Sequence, residues 1–174
     1  IAHMLRQRPL AITIVKARIM EPTDNDLNLN LWNQQSIEVR GKIYMTGGAI
    51  AGTKTYLKTT TVLCEDTWKF VGGLSDMNHA RDAHGMISWK ERYLIVVGSW
   101  HVETAQERAD LRHLENIWHE LPPLNEGTCA PGLIIVGDRY LYKLGGTTDI
   151  GKVEMLDLDQ VRLDGSKSCF EHHD

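Results

Sequence analysis

The chain has 174 residues, a formal net charge of -4, 42% apolar residues and 24% charged ones. That is room for one ordinary domain with its own core, and it excludes a disordered tail. The acidic balance argues against nucleic acid as a main partner, because phosphate binding needs a basic face. No apolar run approaches the roughly 18 residues of a membrane-spanning helix.

In chain order, residues 1–36 open with a basic stretch, Arg6, Arg8, Lys16 and Arg18. It reads as a solvated strand face, with contact to an acidic partner as the alternative. Leu27, Leu29 and Leu31 then alternate with Asn, which is the period of a strand. Arg40-Gly41-Lys42-Ile43-Tyr44-Met45-Thr46-Gly47-Gly48 follows: a basic turn, a short apolar strand and a glycine pair. Lys90 to Ser99 repeats that pattern, with Tyr93-Leu94-Ile95-Val96-Val97 as the strand and Gly98-Ser99 after it. Asp138 to Gly146 repeats it again, ending in Gly145-Gly146.

The spacing from Gly47 to Gly98 is 51 residues and from Gly98 to Gly145 it is 47. Trp68 and Trp118 lie 50 apart, and Met77-Asn78 returns as Leu124-Asn125 at a distance of 47, as does Gly85 as Gly132. Several landmarks recurring in one order define a repeat, and a unit of about four short strands in 47–51 residues suggests a propeller blade. The chain then divides into a divergent or partial unit over 1–36, two full units over 37–89 and 90–137, and a partial unit over 138–174. Short β-branched and aromatic runs bounded by turn residues predict strands throughout. Pro122-Pro123 and Pro131 disfavour helix near them. Residues 103–115 alone have helix-forming composition; the main expectation there is a long loop feeding a strand, with a short helix as the alternative.

These residues resemble the kelch repeat: an apolar strand, a glycine pair, a spaced Trp, then a stretch with Met or Pro, Arg and His-Gly. The first unit supplies Ile43 to Met45, Gly47-Gly48, Trp68 and Met77-Asn78-His79-Ala80-Arg81-Asp82-Ala83-His84-Gly85. The second supplies Tyr93 to Val97, Gly98-Ser99, Trp118 and Leu121-Pro122-Pro123-Leu124. The third supplies Tyr140 to Leu144, Gly145-Gly146 and Val153 to Asp157. The resemblance covers roughly residues 37–160. It departs from the family pattern at Ser99, at the tyrosine slot before Trp (Leu111 and Leu156 stand there, with Leu63 nearest in the first unit), and in the third unit, where Phe170 is the candidate for the missing Trp. What it implies is an all-β propeller fragment of four-stranded antiparallel blades. A propeller of this kind closes with about six blades, so further blades are expected outside this segment or in a partner.

The function the resemblance implies is protein–protein interaction without catalysis. The expected role is a structural subunit of a large cytoskeletal or ciliary assembly; a substrate adaptor of a ubiquitin ligase and a propeller enzyme (an oxidase or a sugar-modifying enzyme) are the alternatives. The three cysteines, Cys64, Cys129 and Cys169, are scattered without a C-x-x-C pair, and no signal segment opens the sequence. A reducing, intracellular and cytoplasmic setting is therefore expected. No cofactor or metal is expected, since His79 and His84 lack the cysteine or histidine partners a zinc site needs. Asp66, Asp76 and Asp82 with these histidines could be drawn as an acid/base cluster, but the repeat already accounts for their loop. Candidate partner-binding residues are Asn78, Arg81, Asp82, Trp100, His101 and Arg108, because Arg and Trp most often dominate interfaces. Arg81 has an equal alternative as a structural pair with a neighbouring unit, and Trp100 as a buried wedge.

Overall fold

The computed structural model describes residues 31–64, 69–72, 74–101, 105–112, 117–147 and 150–161. The basic N-terminal stretch, Leu27 and Leu29, Asp66, Trp68, Cys169 and Phe170 lie outside the described residues. Every regular element within them is a β-strand, and no helix among them is long and apolar enough to cross a membrane.

A two-stranded ribbon pairs β1 (Leu31–Trp32) with β4 (Ala49–Ile50). The first large sheet is an antiparallel meander of β2 (Gln35–Val39), β3 (Lys42–Thr46), β5 (Thr60–Cys64) and β6 (Lys69–Gly72). The second has the same order in β7 (Gly85–Trp89), β8 (Tyr93–Val97), β9 (Gln106–Asp110) and β10 (Trp118–Glu120). The third joins β11 (Gly132–Val136), β12 (Tyr140–Leu144) and β13 (Val153–Asp157). Each sheet starts one strand before the glycine-bearing strand, so Gly85 to Trp89 pairs forward with β8.

Local chemistry fixes the hairpins. Arg40-Gly41, Lys90-Glu91 and Gly137-Asp138 all take positive φ in pairs, as a type I′ turn requires to match strand twist. After the last two turns, Arg92 Nε donates to both Asp110 oxygens at 2.9 and 3.0 Å, and Arg139 Nε donates to Asp157 at 2.9 Å. Each pair therefore ties the second strand of a sheet to the third.

The three sheets pack face to face through two clusters. Val39, Tyr44, Val62 and Met77 meet Leu94, Val96, Ala109 and Trp118 between the first and second sheets. Ile95, Val97 and Trp89 meet Leu141 and Leu156 between the second and third. Strand β8 thus buries both faces, which is why Tyr93 to Val97 reads as an unbroken apolar run. Strand β11 is covered on one face only, so Leu133 and Ile135 pack while Ile134 and Val136 stay exposed. Among strands of different sheets, β7 lies beside both β2 and β11. The first strands of successive sheets therefore stand next to one another.

The glycines after β3 and β8 have a stated reason. Gly47 (φ +60) and Gly98 (φ +68) each lie under a carbonyl of the loop crossing to the next sheet, Arg81 O and Thr128 O, and an added Cβ would overlap that oxygen. The next residue then donates its amide to the same carbonyl, Gly48 to Arg81 at 2.7 Å and Ser99 to Thr128 at 3.1 Å.

Residues 105–112 carry β9 in place of the alternative helix. Gln106, Glu107, Arg108 and Ala109 are all buried in it, a composition that masks a central strand.

Three stability changes follow from this packing. Trp118 is 2% exposed and donates its indole N–H to Ser75 O at 3.0 Å, so Trp118→Ala should cost about 3–5 kcal/mol in urea unfolding. Gly137→Ala, at φ +60 in open space, should cost about 1–2 kcal/mol from backbone strain alone. Gly98→Ala should cost clearly more, and equal losses for the two would mean that the Thr128 carbonyl does not press on Gly98.

Candidate functional site

The loop between β6 and β7 is held from inside by one carboxylate. Glu107 Oε2 accepts the Asn78 amide at 2.6 Å, and Oε1 accepts the His79 amide at 3.2 Å. Oε1 also takes Arg81 Nη2 at 2.7 Å and Nε at 3.1 Å. Arg81 Nη1 donates to Gly98 O and Ala105 O, both at 2.8 Å. Both side chains are 0% exposed. Burial lowers the Arg81 pKa from its usual value, and the Glu107 partnership opposes that shift.

The third sheet repeats the arrangement with altered parts. Glu154 accepts the amides of Asn125 at 2.8 Å and Glu126 at 3.4 Å. Its cation is Lys143, at 3.5 Å and 2% exposed, reaching in from β12. Thr128 stands where the loop before β7 has Arg81, and its hydroxyl donates to Gly145 O at 3.3 Å.

The six partner-binding candidates divide between interior and surface. Arg81 is spent inside the fold. Arg108, 4% exposed, lies over the rings of Tyr93 at 4.8 Å and Trp89 at 6.0 Å. Asn78 keeps an exposed residue position, but its amide goes to Glu107 and its Nδ2 donates to Trp118 O at 3.3 Å. Asp82, Trp100 and His101 come together at a rim of loops between the first and second sheets. Trp100 is 56% exposed, and its amide donates to Asp82 O at 3.3 Å. His101 lies against Tyr56 with ring centroids 3.9 Å apart.

Sequence reading missed Glu107, Glu154, Trp32 and Tyr56. The first two carry a signal, since they are 47 apart like the landmarks around them. Trp32 and Tyr56 carry none, because their place at the rim follows from the β1–β4 ribbon.

His84 is buried beneath this loop. Its Nε2 is 2.8 Å from Thr46 Oγ1, and its Nδ1 has no partner among the described residues. Burial, and then the charge of Arg81, lowers its pKa from 6.5 to about 3. No three His, Cys, Asp or Glu side chains gather as metal ligands among the described residues.

No protein-family model matches the chain, and no curated protein matches it either.

Two measurements check this interior. Glu107→Ala strands a buried guanidinium and should cost about 3–5 kcal/mol; a loss under about 1 kcal/mol would place Arg81 in water. Between its ordinary pKa of 6.5 and about 3, the unfolded His84 binds a proton that the folded one does not. Its contribution to stability is complete above that window and falls with pH inside it, by up to about 1.4 kcal/mol per pH unit. His84→Gln should remove that part of the slope in urea unfolding titrations run at several pH values.

Proposed function

We propose that the chain is three units of a kelch-type β-propeller and acts as a protein–protein interaction scaffold, a structural subunit of a large assembly of cytoskeletal or ciliary type. The supporting observation is the uncovered face of the third sheet. Ile134, Val136, Leu144 and Val153 on it are 43–48% exposed. The matching face of the second sheet, with Ile95 and Val97, is closed by the third sheet, and that of the first, with Tyr44 and Val62, by the second. Gly145 has the positive φ of Gly47 and Gly98, and among the described residues no carbonyl presses on it.

A sheet seated there would extend the series, with first strands side by side in the middle, as in a radial propeller. A further unit is thus expected, in the same polypeptide or in a partner. Propellers of this kind display their loops at two rims, and the exposed aromatic residues between the first and second sheets lie on such a loop surface. Recurrence of the carboxylate that holds each crossing loop, Glu107 and then Glu154, favours a scaffold, since stability in a repeat array comes from neighbour interfaces.

The experiment is capture of the full-length protein from its native cells, with mass spectrometry and a salt wash. Fixed stoichiometry with one large complex that survives the wash supports the structural reading. Ligase components with a varying client set would replace it with the adaptor reading. On the open face, Leu144→Asp should change the stability of these three sheets by under about 1 kcal/mol, as a surface substitution does, and should release whatever covers that face.

A further inference from the structure

We propose that the rim between the first and second sheets is a docking site for an arginine or lysine side chain presented by a partner protein. The inference rests on the scaffold reading and names the chemistry that one surface of it recognises.

The site is a closed circuit of contacts. Trp32 pairs with Ala49 in the ribbon, and Ala49 bridges to Tyr56. The Tyr56 ring meets His101, and His101 follows Trp100 in the chain. The Trp100 amide binds Asp82 O, and the Ala83 amide binds Asn33 O at 3.0 Å, which returns the path to Trp32. The circuit is built from the ribbon and from loops that leave both sheets, and it exposes Trp32 at 63% and Trp100 at 56%. Two tryptophans left this open on one small surface are unusual unless something covers them.

Asp82 gives the surface its charge preference. The residue is 6% exposed, and its Oδ1 has no hydrogen-bond partner among the described residues. Its Oδ2 is reached only weakly, by the exposed Asn33 Nδ2 at 3.5 Å. A buried carboxylate oxygen without a donor is costly. A guanidinium or ammonium entering beside Asn33 would give this carboxylate a charge-assisted donor where it has only one weak neutral contact.

The aromatic residues suit the same guest. Elsewhere the chain covers its own rings with cations: Lys90 over Trp89, Arg92 over Tyr93 and Arg139 over Tyr140. Trp32 and Trp100 have no such cation among the described residues and are more than half exposed, so they can take one from outside. The net charge of -4 steers a cationic segment toward the chain.

The test titrates the full chain with a short alternating Ala-Arg peptide and with its Ala-Gln counterpart, following the tryptophan indole N–H signals by NMR. The Ala-Arg peptide should shift Trp32 and Trp100 and leave Trp118 in place, with the Ala-Gln peptide about tenfold weaker. Asp82→Asn and Trp100→Ala should each weaken the Ala-Arg peptide by a similar factor. Equal binding of the two peptides, or unchanged affinity in Trp100→Ala, overturns the proposal. Trp100 is exposed, so that variant decides even if Asp82→Asn disturbs the fold. Capture of an intact complex by a Trp100→Ala protein that no longer binds the peptide would separate the two readings: the scaffold stands, and the rim is not where the complex is held. Failure of the native protein to capture any stable complex would overturn the scaffold alone and leave the titration to judge the site.

Discussion

Glu107 is the joint on which the passage from the first sheet to the second depends. A loop that leaves one sheet and enters the next must bury backbone amides at the crossing, and buried amides need acceptors. The Glu107 carboxylate takes two of them, from Asn78 and His79. With those fixed, Met77 falls into the first cluster, and the Arg81 carbonyl comes down on Gly47 and Gly48. Trp118 is then held from both sides, its indole on Ser75 O and its carbonyl on Asn78. One carboxylate therefore sets the loop path, the glycine requirement and the seat of the largest buried ring.

A buried ion pair is by itself weak evidence for stability, because desolvation can outweigh the attraction. The comparison of the two crossings shows which part is constrained. The carboxylate returns in the third sheet as Glu154 and again accepts two loop amides. The cation does not return in place: Arg81 comes from the loop, whereas Lys143 comes from the neighbouring strand. The carboxylate is needed where it stands, as an acceptor for backbone. The cation is needed only to neutralise it, and any stem long enough to reach will serve.

The all-β class was legible because turn residues and short apolar runs recur at one period. The repeat's Gly47 and Gly98 stand at equivalent steps of the fold, each under a carbonyl of the next crossing loop. Strand β9 was hidden for a physical reason. Its sequence, Gln106-Glu107-Arg108-Ala109-Asp110, is polar because it carries the charges that hold the loops, and polarity in a central strand inverts the usual signal. The rim was half legible. Trp100 and Asp82 stood out by residue type, but Trp32 and Tyr56 reach them through a two-residue ribbon and a single bridge. Pairings that short leave no period to read.

The open face of the third sheet and the aromatic rim are different kinds of exposure. The first is repetitive: Ile134, Val136 and Leu144 occupy positions that the second sheet fills with Ile87, Trp89 and Val97, which the third sheet then covers. Such a face needs shape and apolar area, and any sheet with the same repeat supplies both. The rim is singular. Trp100 has no counterpart in the third sheet, where Thr147 stands at the matching step and its amide bonds Cys129 O. A surface that the repeat does not reproduce contributes nothing to stacking one sheet on the next. Its two exposed tryptophans therefore gain nothing from the stacking of the sheets, and burying them is a gain left for a partner that covers this surface.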